Sequence, residues 1–436
     1  MHEHHGEAAE WRSHVRFIHQ DLGLVETLST LDNLAMGRGF ETGFAGRILW
    51  KREAERARGM LADLDMHFDV RVPVAELSGV ERTMVAVVRA LMDFDGDHGI
   101  LVLDEPTAAL SGPDVQRLFA VVRRLAERGA GILFVSHRLD DIFDLADRVV
   151  VLREGRVVAD HSIAELDHDR LIELIVGRAI DALYPELPDT GDEVILSVRG
   201  LHGTRIEGLD LEVRAGEILG ITGLNGSGRE ELAGLLFGAQ DRARGDVLVR
   251  GEEVRPGRPR AALDRGITLV PADRARHGVI GAHSVRENVS LPQLGTVTRR
   301  GRIEPSAEHK DVLDWSRRVG LAPLEIERPV LEFSGGNQQK IVLAKCLRRA
   351  PRVVLLDEPT QGVDVGAKAA IYELIAQAAR EGAAVVVCSS DLEEVAHLAD
   401  RALAIVDGRV VDELSGSNLS VDRLTAATLR PPGSRV

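Results

Sequence analysis

Leu101-Val-Leu-Asp-Glu-Pro-Thr107 returns 253 positions later as Val354-Leu-Leu-Asp-Glu-Pro-Thr360, and this pair sets the register for the whole chain. At the same offset Phe134-Val-Ser-His-Arg-Leu139 meets Val387-Cys-Ser-Ser-Asp-Leu392, with His137 matched to Ser390, and Ala146-Asp-Arg148 meets Ala399-Asp-Arg401. Upstream, Glu76-Leu-Ser-Gly-Val80 corresponds to Glu332-Phe-Ser-Gly-Gly336 at an offset of 256, so the first copy carries three extra residues around Asp93–His98. A short insertion in a loop costs little chain entropy. Motifs held in register over most of each half mark a tandem duplication.

Each copy alternates short β-rich apolar runs (100–103, 132–135 and 149–152; 353–356, 384–388 and 402–406) with charged helical segments (114–128 and 139–146; 367–380 and 391–398). That alternation predicts an α/β fold with a mostly parallel, doubly wound sheet in each half. Pro185-Glu-Leu-Pro-Asp-Thr-Gly-Asp192 is short and polar and reads as a connection. The expected division is a first domain over 1–178, a linker over 179–192 and a second domain over 193–430. A length of 436 residues suits two domains.

Composition narrows the class. The net charge is −15, no basic block occurs, and aromatics are 3% of residues, which argues against nucleic acid as the main ligand. The two cysteines, Cys346 and Cys388, sit in apolar sequence and form no disulfide framework, which points to a reducing compartment. No apolar run approaches the roughly twenty residues of a spanning helix, so any membrane role is expected to come through a partner.

Four motifs carry chemistry. Asp104-Glu105 and Asp357-Glu358 end apolar strands, where an Asp can help hold Mg²⁺ and the adjacent Glu can polarise an attacking water. In the second copy, Gly216-Glu-Ile-Leu-Gly-Ile-Thr222 runs into Gly223-Leu-Asn-Gly-Ser-Gly-Arg229, a strand entering a glycine-rich loop and then a helix start, as a phosphate-binding loop requires. Gly223, Asn225, Gly226, Ser227, Gly228 and Arg229 are the candidate contacts. Arg229 stands where such loops carry Lys, and Glu230 replaces the metal-binding hydroxyl, setting a negative charge beside the phosphates.

Ser334, Gly335 and Gly336 open a helix whose free N–H groups and hydroxyl suit an anion. Ser78 and Gly79 are their counterparts, but Ser78-Gly-Val-Glu81 also has capping-box spacing, and both readings stay open. His137, at the end of a strand, is placed to reach a terminal phosphate oxygen. No aromatic occurs between Glu193 and Thr222 to stack on an adenine.

Together with Gln20 ahead of Asp-Leu-Gly-Leu24, Pro271-Ala-Asp-Arg274 and Phe333-Ser-Gly-Gly-Asn-Gln-Gln-Lys340, these motifs resemble ATP-binding cassette (ABC) proteins over about residues 15–430. More narrowly, they are similar to the fused twin-cassette ATPases of bacterial monosaccharide importers of the ribose, galactose and xylose type, with a nucleoside-importer branch as the near alternative. The resemblance implies two tandem P-loop NTPase domains, each a doubly wound core plus a helical subdomain, using ATP and Mg²⁺. It implies hydrolysis coupled to uptake through transmembrane permease subunits at the cytoplasmic face of the plasma membrane. An extracellular solute-binding protein takes part indirectly.

By position, the resemblance puts Gln20, Asp104, Glu105 and His137 in one composite site with Ser334, Gly335 and Gly336. There Glu105 would orient or deprotonate water, Asp104 would hold Mg²⁺ indirectly, His137 would contact the γ-phosphate, and Gln20 would couple the site to the membrane subunit. The other site would join Gly223–Arg229, Asp357 and Glu358 with Ser78 and Gly79. It departs from the family pattern at Ser390, Ala272, Val80 and within its loop, so it is expected to be slow or silent. The 253 offset applied to Gly223 falls about thirty positions before Met1. The first domain is therefore expected to lack its phosphate loop, and the chain as it stands to be a catalytically incomplete remnant on that side.

Overall fold

The computed structural model describes residues 15–430 apart from 20–21, 37–38, 63, 65, 92–98, 108–109, 111, 137, 154 and 178–183. The chain folds as two compact units, Met1–Leu171 and Ile172–Val436. The division falls a few residues before the expected end of the first domain at 178. Residues 184–192, expected as linker, pack on the second unit: Tyr184 stacks on Tyr372 with ring centroids 5.0 Å apart, and the Gly191 N–H donates to the Ala215 carbonyl at 2.8 Å.

The second unit is built on a six-stranded sheet in the spatial order Ile267–Val270, Val353–Asp357, Ala384–Cys388, Ile218–Thr222, Arg401–Val406, Arg409–Ser415. The first five strands are parallel and the last is antiparallel to its neighbour. Runs such as Val-Val-Leu-Leu and Ala-Val-Val-Val-Cys are apolar at every position because both faces are covered. Val385 and Val387 enter one core while Ala384, Val386 and Cys388 enter the core on the opposite face. Helices Arg229–Phe237 and Val365–Arg380 make crossovers, and a helical part comprises Val285–Ser290, Pro305–Arg318 and Gly335–Leu347.

A second, antiparallel sheet departs from the mostly parallel expectation. It runs Glu252–Glu253, Arg244–Val249, Val194–His202, Glu207–Arg214. Its last strand buries Leu209, Leu211 and Val213 and exposes Asp210, Glu212 and Arg214. That is the period of two that a sheet with one wet face imposes.

The first unit repeats the outer part of this plan. Val15–Ile18, Ile100–Asp104 and Gly131–Val135 form a parallel three-stranded sheet, with helices Thr30–Ala35, Trp50–Ala62 and Gly79–Leu91 packed into the same core. Among the described residues Gly131–Val135 has one strand neighbour, and Leu133 and Val135 are 56% and 45% exposed, whereas Val385 and Val387 are buried. The hairpin Arg148–Arg153/Arg156–Ser162 carries a bulge at Val151/Leu152, matching that at Ala404/Ile405 in the second unit. No helix among the described residues is long and apolar enough to cross a membrane.

One polar knot is duplicated in detail. Asn288 accepts from the Ile280 N–H at 2.7 Å and donates to the carbonyls of Ile280, His283 and Ser284. Asn33 does the same with Val25, Leu28 and Ser29. Both side chains are buried, so removing either strands several backbone groups away from water. Asn288→Ala should lower the unfolding free energy of the second unit by about 2–3 kcal/mol in urea titrations. A loss below about 0.5 kcal/mol would show that water replaces the amide there.

Candidate functional site

The buried strand Ile218–Thr222 delivers the chain into Gly223–Gly228, and the helix begins at Arg229. Gly228 is left-handed at φ +101°, which a side chain rarely adopts. A Cβ on Gly223 would lie 2.5 Å from the Ile405 carbonyl oxygen and from Ser227 Oγ. Glycine is therefore required where the loop folds against the adjoining strand.

The loop's amides converge on an anion, and that anion is the protein's own. The N–H groups of Gly226 and Gly228 both donate to the Glu230 carboxylate, the latter at 3.2 Å. Burial works against the charge, but these amides, the Glu230 N–H and the Arg229 guanidinium outweigh it and hold the carboxyl below its ordinary range. Glu231, a residue the sequence patterns do not single out, accepts from the N–H groups of Thr204, Arg205 and Ile206 at 3.0, 2.8 and 2.6 Å. Arg205 in turn donates to the Gly226 carbonyl at 2.7 Å, so the 204–206 turn is latched to the loop from both sides.

Arg229 is 2% exposed, and its Nη1 lies 2.8 Å from a Glu358 carboxylate oxygen. The contact is a charge pair without hydrogen-bond alignment, and Nε has no hydrogen-bond acceptor among the described residues. Glu358 Oε1 also accepts from the Ser390 N–H at 3.0 Å, so the residue matched to His137 touches the candidate base through its backbone. Glu358 sits at φ +47° and Glu105 at +48°, the same uncommon left-handed turn at the end of equivalent strands. Each is held by its N–H donating to the neighbouring strand, Glu358 to Cys388 at 2.8 Å and Glu105 to Val135 at 2.9 Å. Asp357, one residue earlier, has its carboxyl pushed up to about 6 by burial, and by Glu358 and Glu230, against the pull of Arg229 and the Ala272 N–H.

The structure thus brings Arg229, Glu230, Asp357 and Glu358 together around the second unit's loop. Ser334, Gly335 and Gly336 form a separate locus at the start of Gly335–Leu347. The Ser334 hydroxyl makes no cap bond but accepts from Asn337 Nδ2 at 3.0 Å. A Cβ on Gly335 would lie 2.8 Å from the Gly362 carbonyl, and Arg274 straps this region by donating to the Gln361 and Gly362 carbonyls at 2.7 and 3.2 Å. In the first unit the open question at Ser78 resolves toward capping: the Ser78 N–H and hydroxyl both donate to Glu81, and the Glu81 N–H returns to Ser78 Oγ. Gly79 therefore starts a helix whose first turn already has an internal anion. Gln20 and His137 lie outside the described residues.

No group of three His, Cys, Asp or Glu that could hold a metal occurs among the described residues. Mg²⁺ needs less than that, since one or two carboxylates with substrate phosphates and water suffice. Asp357 suits that duty: its carboxyl is half-buried, and the cation beside it is already paired with Glu358.

A central strand turning through convergent glycine amides into a helix, next to a strand-ending Asp-Glu, is the arrangement of a P-loop nucleotide-binding domain. The ABC transporter family profile matches residues 1–108 and 206–361, and the chain belongs to that family. It is 41% identical over 425 residues to the ribose import ATP-binding protein RbsA 2 of Rubrobacter xylanophilus, covering 97% of this chain and 81% of that one. It is 39% identical over 424 residues to the RbsA 2 protein of Streptomyces avermitilis, covering 97% and 83%. A solved nucleotide-free ATP-binding cassette from an ABC transporter aligns at 18% identity over 53% of this chain and 95% of its own, with a TM-score of 0.45.

The raised Asp357 carboxyl has a consequence for stability. The folded unit holds this proton more tightly than the unfolded chain, whose Asp titrates near 3.9, so the group's contribution is best at low pH and declines as pH rises from about 4 to about 6. Asp357→Asn should remove that decline and be more stable than the parent by about 1–2 kcal/mol at pH 7, after allowance for partial solvent access. Denaturant unfolding at pH 4 and pH 7 reads the difference, and parallel pH profiles for the two proteins would contradict it.

Proposed function

We propose that this ABC protein is the ATP-binding and hydrolysing subunit of a sugar importer of the ribose class. The observation that carries the transport reading is its 41% identity over 97% of its length to a ribose import ATP-binding protein. In this role it works from the cytoplasmic face of the membrane, docked on transmembrane permease subunits, with an extracellular solute-binding protein delivering the sugar.

Within the first unit, Glu105 is the residue that orients or deprotonates the attacking water, Asp104 is the strand-end carboxylate that would hold Mg²⁺ indirectly, Gln20 would couple the site to the membrane subunit, and His137 would contact the γ-phosphate. Within the second unit, Gly223, Asn225, Gly226, Ser227, Gly228 and Arg229 hold nucleotide phosphates, and Asp357 is the carboxylate that would hold Mg²⁺. Ser334, Gly335 and Gly336 offer helix-start amides to phosphate. Ser78 and Gly79 do so only when Glu81 gives way.

The two units differ in their bases. Glu358 Oε1 already lies against Arg229 and accepts from the Ser390 N–H, so this oxygen is engaged before a water arrives. The second unit is therefore read as binding nucleotide without rapid turnover, and where this chain hydrolyses ATP the base is Glu105. With the permease and the binding protein in proteoliposomes, ribose should stimulate ATP turnover and ATP should drive ribose uptake. Glu105→Gln should cut that turnover by about 10²-fold or more, whereas Glu358→Gln, which also leaves Arg229 unpaired, should cost turnover per folded molecule far less than that. Absence of ribose-dependent turnover would refute the hydrolysing role and favour a catalytically incomplete nucleotide-binding chain, and equal losses in the two variants would refute the division of labour.

A further inference from the structure

The glycine loop of the second unit carries a feature that its role as a phosphate site does not require. Its two convergent N–H groups, from Gly226 and Gly228, are both taken by the Glu230 carboxylate from within the same turn. Amides aimed together by left-handed glycines at a helix start form an anion cradle whatever anion is present. A carboxylate tethered two to four residues away is present at high effective concentration and needs no diffusion to arrive. Beside it, Arg229 is 2% exposed and keeps its Nε without an acceptor among the described residues, so a buried cation borders the same cradle with bonding capacity to spare.

We propose that Glu230 is an internal substitute for phosphate: its carboxylate closes the second unit's loop at rest, and a nucleotide enters only by displacing it. The proposal rests on the reading of this loop as a nucleotide site. The surrounding contacts are arranged for such an exchange. Glu231 holds the 204–206 turn and Arg205 holds the Gly226 carbonyl, so the loop keeps its shape when Glu230 swings out. The amides and Arg229 hold the Glu230 carboxyl below its ordinary range, so it stays charged near neutral pH and does not yield by picking up a proton. Once displaced, it is a negative charge next to the incoming phosphates, which adds to the cost of binding.

Glu230→Thr frees both amides and removes the charge while keeping a short hydroxyl at the second position of the helix. Glu230→Gln keeps the shape and removes only the charge. With the full chain, a fluorescent ATP analogue with Mg²⁺ and, separately, inorganic pyrophosphate are titrated, and photolabelling with an azido-ATP assigns bound nucleotide to peptides of the second unit. Binding of both probes should tighten about tenfold or more in Glu230→Thr, with Glu230→Gln between it and the parent. Equal or weaker binding of both probes in Glu230→Thr, with its circular dichroism unchanged, overturns the proposal. Tighter pyrophosphate binding without photolabelling of the second unit in any form would uphold the displaced carboxylate and refute the nucleotide reading on which the proposed function relies.

Discussion

A guanidinium buried to 2% exposure at the first turn of a helix has to be answered by a negative charge, and in this protein the answer comes from the end of the strand two places away in the sheet. Burying both ions costs several kcal/mol each, which their attraction offsets only while the geometry is held. The Arg229–Glu358 pair therefore fixes the phosphate loop against the strand-ending acid pair, and other parts of the second unit adjust to it. Glu358 presents its carboxylate there from the left-handed turn it shares with Glu105, its N–H donating to the Cys388 carbonyl. Asp357 keeps a raised carboxyl because it is drawn out of water, and Glu358 and Glu230 add to that against the pull of Arg229. What a mobile lysine would do for a bound phosphate falls instead to a contact that exists before any ligand arrives.

The duplication acts as an internal control on which contacts belong to the fold and which to the chemistry. Thr107 Oγ1 donates to Asp141 at 2.6 Å, and Thr360 Oγ1 donates to Glu394 at 2.8 Å, 253 positions on. The asparagine knots, the hairpin bulges and the left-handed glutamates recur likewise. These shared features satisfy buried polar groups that any copy of the unit would have. The divergent ones cluster at helix starts: Ser78 is capped by Glu81, while Ser334 at the matching position has no side-chain cap. A carboxylate three residues on converts an anion site into a self-sufficient helix end, and its absence leaves the amides available to a ligand.

Much of this was legible in the residues. Buried parallel strands are apolar at every position, so 353–356 and 384–388 announce themselves, and the Asp-Glu pairs mark where those strands stop. The capping alternative at Ser78 could be read from spacing alone. The antiparallel sheet was harder: Glu207–Arg214 alternates cleanly, but Gly208 interrupts it, and its partner Val194–His202 carries register shifts that blur the period. The Glu231 latch had no local signal, because its three amides lie 25–27 residues upstream and converge only when the sheet and the helix are packed. Glu230 was visible as a misplaced charge. That it turns back onto Gly226 and Gly228 follows from the direction of those N–H groups, which only the folded loop sets.

Glu230 and Glu231, adjacent in the chain, between them collect five backbone N–H groups at the mouth of one helix. A helix start normally projects a fractional positive charge into solvent. Two carboxylate side chains sit on this one, in a protein whose net charge is already −15. With the arginines Arg229 and Arg205 at the same loop, the carboxylates offset that fractional charge and weaken the pull such a loop would otherwise exert on a polyanion. Recognition at such a loop rests more on how long a ligand stays than on how fast it arrives.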